Sequence, residues 1–232
     1  MRAPISVVIP TRNAEATLPA TLASLMPGLE AGLIREVVVT DAGSSDATQR
    51  IAEAAGATVV SGPPGRGGQL QRGARTARGD WLFFLHADSV LGPDWTRPTA
   101  ALVRSEEMTA GYFDLQFDAH GFAPALVARW ANIRSRAFGL PYGDQGLLIR
   151  RTHYDAVGGY SDQPLMEDVD MARRVGRRAL RSLGTHLTTG ADRYLRDGWL
   201  RRSLANGWLL TQFLAGVSPE RLARKYDPTP DD

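Results

Sequence analysis

The 232-residue chain contains no cysteine. That excludes disulfides, thiolate catalysis and cysteine-based zinc sites, and it fits a reducing cytoplasm. No apolar run reaches the roughly 18 residues that a transmembrane helix requires. Met1-Arg2-Ala3-Pro4 leads at once into a short strand-like run, without the apolar core of a secretory signal. The expectation is a soluble protein, or at most a peripheral one. Neither sign of charge dominates, because 27 Lys and Arg face 25 Asp and Glu for a net charge of +2. The arginines are dispersed among acids and apolar residues, so nucleic acid is not an expected partner. The glycine fingerprint of dinucleotide binding is also missing from its required place, since Pro10-Thr11-Arg12-Asn13 follows the first strand. Gly65-Arg66-Gly67-Gly68 has glycines but not the Lys-Ser/Thr ending of a P-loop, and tight turns alone would explain them.

What the chain does have is an alternation of short β-branched runs with helical spacings. Ile5-Ser6-Val7-Val8-Ile9 reads as a strand, followed by a helix over 14–25 with Leu18, Leu22 and Leu25 on one face. Glu36-Val37-Val38-Val39-Thr40 repeats the pattern, ends in Asp41, and precedes a helix over 46–55 capped by Ser44, Ser45 or Asp46. Thr58-Val59-Val60 is a third strand, 69–77 an amphipathic helix, and 81–85 a fourth, fully apolar strand. This order predicts βαβ units and a parallel sheet. Beyond about residue 105 the rhythm changes, with a half-exposed strand over 111–118, a basic helix over 124–138, a buried strand at Leu147-Leu148-Ile149 and a helix over 166–177. One domain is expected, with a nucleotide-binding half over about 1–105 and a more irregular half over about 106–232.

Polar residues punctuate the strand ends. The run from Trp81 ends in His86-Ala87-Asp88-Ser89, and the second strand ends in Asp41. In open α/β sheets ligands gather beyond the carboxyl ends of the strands, and an Asp with a His two residues earlier can hold a divalent cation there. The plainer reading is that Asp88 caps a helix starting near Pro93 or closes a turn. Asp41 precedes the helix cap and is expected to face the cleft, accepting a hydrogen bond from a base or ribose.

Four segments taken in order, Val7-Val8-Ile9-Pro10-Thr11-Arg12-Asn13-Ala14, Val39-Thr40-Asp41-Ala42-Gly43-Ser44-Ser45-Asp46-Ala47-Thr48, His86-Ala87-Asp88 and Met166-Glu167-Asp168, resemble the family 2 glycosyltransferases. The resemblance implies an α/β GT-A fold, a single Rossmann-like domain with a mixed central sheet. Gly143-Asp144-Gln145-Gly146 and Met166-Glu167-Asp168-Val169-Asp170 are most similar to a bacterial subgroup labelled arsenosugar-biosynthesis glycosyltransferases, a genomic label that carries no evidence for an arsenical substrate. An inverting, metal-assisted transfer from a nucleotide-diphosphate sugar, with UDP as the nucleotide, to a hydroxyl acceptor is implied. So is a nucleotide-binding set of Pro10, Thr11, Asn13, Asp41, Arg66, Gln69, His86 and Ala87, with the metal, Mn²⁺ or Mg²⁺, on Asp88. The first Asp of the family's usual Asp-x-Asp is His86 here. Asp168 is the implied general base and Glu167 its neighbour, orienting the acceptor or supporting an arginine. The two acids would equally suit a helix N-terminus. Asp144 and Gln145 would line the donor-sugar or acceptor site, or form a turn. A late histidine, His186, is a possible third metal ligand, whereas His120 and His153 read as surface or turn residues.

Residues 199–217 place Trp199, Leu200, Leu204, Trp208, Leu209, Leu210, Phe213 and Leu214 beside Arg196, Arg201 and Arg202. Such a helix can lie on an anionic membrane at the inner face, pack on its own domain, or form a homodimer contact. Two alternatives to a transferase stand: a sugar nucleotidyltransferase, which would carry a basic Gly-rich loop after the first strand, and a nucleotide-sugar-binding scaffold without chemistry.

Overall fold

A computed structural model describes residues 2–107 and 109–226. The elements run β1 (Ile5–Thr11), α1 (Leu18–Ser24), α2 (Met26–Glu30), β2 (Ile34–Asp41), α3 (Thr48–Ala54), β3 (Thr58–Ser61), α4 (Arg66–Thr76), β4 (Trp81–Phe84), β5 (Ser89–Leu91), α5 (Thr96–Arg104), β6 (Ala110–Phe117) and α6 (Phe122–Phe138). A 3₁₀ turn (Gly143–Gln145) then leads to β7 (Leu147–Arg150), α7 (Arg151–Ala156), α8 (Glu167–Val175), β8 (Leu180–Thr189), α9 (Asp192–Asp197), α10 (Trp199–Leu214) and α11 (Pro219–Tyr226). Eight strands form one mixed sheet in the order β3-β2-β1-β4-β7-β6-β8-β5. β1 is parallel to β2 and β4, and β2 to β3, whereas β7 is antiparallel to both β4 and β6. The anticipated mixed α/β sheet is thus present.

The central strands are apolar on both sides because both faces are covered. Ile5, Val7, Ile9 and Phe83 point to one layer with Leu18 of α1 and Trp95, while Val8, Leu82 and Phe84 point to the other with Leu70 and Ala74 of α4 and Met171 of α8. Each such side chain fully removed from water contributes about 1.5–3 kcal/mol. α4 approaches β1 so closely that a Cβ on Gly73 would lie 2.2 Å from Val8 Cγ1. Among the described residues no helix is long and apolar enough to cross a membrane.

Several features depart from expectation. The helix foreseen over 14–25 begins only at Leu18, because the N–H groups of Ala14 and Glu15 donate to Thr48 Oγ1 and Asp46 Oδ2 across the gap, and Pro19 occupies the first turn. The helix expected near Pro93 starts at Thr96, and β5 intervenes after Asp88, so Asp88 caps no helix. β6, expected to be half-exposed, is buried at every residue but Gln116, because β7 and β8 flank it and α6 covers it.

Candidate active site

Strand order places the cleft. β2 and β3 lie on one side of β1 and β4 on the other, so the carboxyl ends of β1 and β4 form a topological switch point, where a crevice opens. A cavity of about 690 Å³ occupies that position, within the range of small-molecule sites. Pro10, Thr11 and Asn13 line it from the end of β1, His86, Ala87 and Asp88 from the end of β4, and Arg66 and Gln69 from the start of α4. Asp144 from the 3₁₀ turn and Glu167 and Asp168 from α8 also line it. Eleven of the thirteen residues singled out in the sequence therefore share one cleft.

Asp41 and Gln145 do not line it. Asp41 is fully buried, and its two oxygens accept from Thr11 Oγ1, Ser44 Oγ, Gln49 Nε2 and the N–H groups of Gly43 and Ser44. Burial pushes its pKa up, but these donors more than offset it and hold the carboxyl below its ordinary value. The carboxylate expected to face a nucleoside instead ties the β2–α3 turn, and β1 separates it from the strand carrying Asp88. Gln145 is also fully buried. It donates to the Phe113 carbonyl and Asn132 Oδ1 and accepts from Ser135 Oγ, so it forms a core clasp rather than a substrate contact. Gln69 has a double position, lining the cleft while its amide N–H₂ joins the Thr11 and Thr40 carbonyls.

Local backbone explains how the α8 acids are presented. Met166, immediately before the acidic pair, has φ 64°, a left-handed conformation uncommon for a non-glycine residue. Its side chain is held by Val169, Leu209 and Leu222. The turn drives Glu167 and Asp168 onto the first turn of α8, where the helix dipole favours negative charge. Asp168 Oδ2 accepts the Gly143 N–H at 2.7 Å, joining α8 to the 3₁₀ turn that carries Asp144. Gly143 in turn packs on His86, where an added Cβ would meet Nε2 at 2.6 Å. One glycine thus holds the β4 end and the α8 acids in register.

Charge is concentrated here. Glu167 Oε1 lies 3.7 Å from Arg66 Nη1. Burial, then the charge of Asp168, pushes the Glu167 carboxyl up to about 7, with Arg66 pulling the other way. Burial likewise raises Asp144 to about 6, and its Oδ1 is buried without a hydrogen-bond partner. Asp88 is also raised by burial, against the opposing pull of Arg66 and Arg193. Burial opposes the charge on Arg66, but Glu167, Asp168 and Asp88 outweigh it and raise its pKa. Burial, followed by Arg66 and Arg193, keeps His86 well below its ordinary value and so neutral.

Among the described residues no three His, Asp or Glu side chains converge into a complete metal cage. Asp88 and neutral His86 line the cleft from the end of β4, and Asp144, whose Oδ1 is buried without a partner, lines it from the 3₁₀ turn. Oxygen and nitrogen donors of this kind are those a divalent cation takes, and Asp88 is the residue among them that would hold one. His186 is not among them, since it is exposed on β8 and does not line the cleft. Sequence reading missed part of the lining, including Thr17 after β1, Tyr142 before the 3₁₀ turn and residues of α9, α10 and α11. Arg193, Asn206 and Tyr226 reach the cleft, as does Arg202, which pairs with Asp197 at 3.0 Å and donates to the Tyr226 hydroxyl. Arg202 had a visible signal, but one that pointed to a membrane face.

Residues 6–128 match the family model described as glycosyl transferase family 2, and the chain belongs to that family. Over 95 residues it is 39% identical to the glucosyl-3-phosphoglycerate synthase of Mycobacterium tuberculosis, a match covering 37% of this chain and 29% of the relative. The aligned segment thus spans less than a third of that curated relative. A crystal structure of the M. tuberculosis synthase with Mn²⁺, UDP and glucosyl-3-phosphoglycerate superposes with a TM-score of 0.56 at 27% identity, covering 81% of this chain and 70% of that one. S. aureus TarS (1-349) with UDP-GlcNAc superposes with a TM-score of 0.60 at 18% identity, over 81% and 58% of the two chains, a likeness of fold alone.

Proposed function

We propose that this chain is an inverting glycosyltransferase that moves a sugar from a UDP-sugar to an acceptor hydroxyl with Mn²⁺ or Mg²⁺. The observation carrying this reading is that Asp88, at the end of β4, and Asp168, on α8, line one switch-point cleft together with Arg66, whose positive charge both favour. Residues 1–105 would hold the donor and residues 106–232 shape the acceptor side. The Mn²⁺ and UDP bound by the M. tuberculosis synthase support the choice of metal and nucleotide.

In this mechanism Pro10, Thr11, Asn13 and Ala87 border the nucleoside, and Asp88, with His86 and Asp144 near, would hold the metal. The metal, when bound, neutralises charge on the departing diphosphate. Arg66 adds a fixed positive charge on the same side. Asp168, fixed by the Gly143 N–H, takes the proton of the acceptor hydroxyl. The acceptor oxygen then bonds to the anomeric carbon from the face opposite the diphosphate. The bond from that carbon to the phosphate oxygen breaks, and its electron pair leaves with UDP. Glu167 supports Arg66, and Asp144 borders the sugar. A cysteine-free chain fits action in a reducing cytoplasm. Contact with a membrane or a second copy would use the outward faces of α6 and α10.

Calorimetry with UDP, GDP and CMP, with and without Mn²⁺, on wild type and Asp88→Ala tests the donor side. UDP binding that needs both Mn²⁺ and Asp88 is expected, and binding indifferent to both would remove the metal role. Asp168→Asn should retain UDP-sugar affinity and lose about 10²–10⁴ in turnover. Wild-type turnover by that variant would remove Asp168 from the chemistry.

A further inference from the structure

α6 and α10 lie against one another, and each turns an apolar stripe outward. On α6, Phe122, Leu126, Trp130 and Ile133 are 82%, 53%, 63% and 44% exposed. On α10, Leu200, Leu204 and Trp208 are 73%, 65% and 65% exposed. Both sets follow a spacing of three or four residues, so each forms a single face of its helix. The other faces are already used. Ala128 and Ala131 of α6 pack with Leu115 and Phe117 of β6, while α10 gives Leu209 to the core around Met166 and Val169 and Arg202 and Asn206 to the cleft. The outward stripes are therefore surplus to the fold, and patches of this kind mark interaction surfaces.

Charge identifies the occupant. The two helices carry five arginines and no Asp or Glu; Arg202 turns to the cleft and Arg134 stacks on Tyr142, which leaves Arg129, Arg136 and Arg201, whereas the whole chain is nearly balanced at +2. Arg129 and Arg201 are exposed, and Arg136 keeps 55% of its side chain exposed while paired with Asp114. Exposed Arg177 packs against Gly139 at the end of α6, adding a further cation beside Phe138. A second copy of the same face would oppose this positive charge with itself. Exposed tryptophans beside arginines, without acids, suit the boundary between headgroups and acyl chains of an anionic bilayer.

We propose that the α6–α10 face docks the protein on the surface of an anionic lipid bilayer. Trp130, Trp208, Phe122 and the leucines enter the headgroup boundary, and Arg129 and Arg201 meet lipid phosphates. Docking is independent of sugar transfer, so its test uses neither donor nor metal. Full-length protein is sedimented with vesicles of phosphatidylcholine, or of phosphatidylcholine mixed with phosphatidylglycerol, while tryptophan emission is recorded. Wild type should pellet with the anionic vesicles only, with blue-shifted emission, and should release as salt is raised. Each arginine near the surface is worth about fivefold in binding, so Arg129→Gln/Arg201→Gln should bind about 25-fold more weakly. Trp130→Ser/Trp208→Ser should lose both binding and the blue shift, with an unchanged far-UV circular dichroism spectrum verifying the fold. Failure to pellet with anionic vesicles, equal binding to neutral ones, or wild-type binding by both variants overturns the proposal. So does a dimer in sedimentation velocity that the tryptophan variant dissociates, because a second copy would then own the face.

Discussion

Replacing Glu167 by Gln should change how the stability of the protein depends on pH. The Glu167 side chain is 5% exposed, and burial, then Asp168, raises its pKa from 4.5 to about 7 despite Arg66. A raised pKa means that the folded state holds the proton more tightly than the unfolded chain. The stability this contributes is complete below the unfolded value near 4.5 and is lost as pH rises through about 7. That span, at roughly 1.4 kcal/mol per pH unit, amounts to about 3 kcal/mol. Gln has no proton to lose. The attraction between ionised Glu167 and Arg66 is already contained in that raised pKa, so a pH-independent effect of the amide displaces the variant's curve by a constant and leaves the slope intact. Urea unfolding of both proteins, followed by tryptophan fluorescence between pH 4.5 and 8 without nucleotide or metal, gives the difference directly. The stability of Glu167→Gln relative to wild type should rise by about 3 kcal/mol across that interval. Parallel profiles would mean that Glu167 titrates like an exposed glutamate, and a difference of opposite sign would mean that Arg66 dominates over burial.

Gly73→Ala, which pushes a Cβ to 2.2 Å from Val8 Cγ1, should cost about 1–3 kcal/mol in urea unfolding. Gly207→Ala in α10, where nothing lies within 4 Å of the added carbon, should instead gain up to about 1 kcal/mol by helix propensity. Asp41→Asn should cost about 1–3 kcal/mol at neutral pH, because an amide cannot accept from all the donors that converge on the carboxylate. The lowered pKa of Asp41 contributes stability above its unfolded value near 3.8 that is lost as pH falls through the folded one. The variant should therefore show a flatter acid limb, and an unchanged limb would contradict the role given to Asp41.

The strand ends were legible in the sequence because a parallel sheet buried on both faces writes itself as uninterrupted apolar runs. Where Val7-Val8-Ile9 or Leu82-Phe83-Phe84 stops, the chain must be leaving the core at a strand's carboxyl end. That edge pointed to Asp88, and the family resemblance added Asn13 and Arg66, which line the same cleft. Direction at those ends was not legible. Asp41 and Asp88 each follow such a run, yet one turns inward to five donors and the other lines the cavity, a difference set by Ser44 of the β2–α3 turn and Gln49 of α3, which donate to Asp41. The sequence pairs Asp144 with Gln145 in the same way, and the structure divides them, since the 3₁₀ turn aims Asp144 at the cleft and Gln145 at Asn132 and Ser135. The closing residues, Arg193, Arg202, Asn206 and Tyr226, come from helices whose contacts with the cleft depend on the approach of α10 to α6 and α9. No local spacing encodes that approach. The same approach separates α10 into a side that completes the cleft and a side that faces outward. One amphipathic helix can thus carry both Arg202, which lines the cleft, and Trp208, which faces outward.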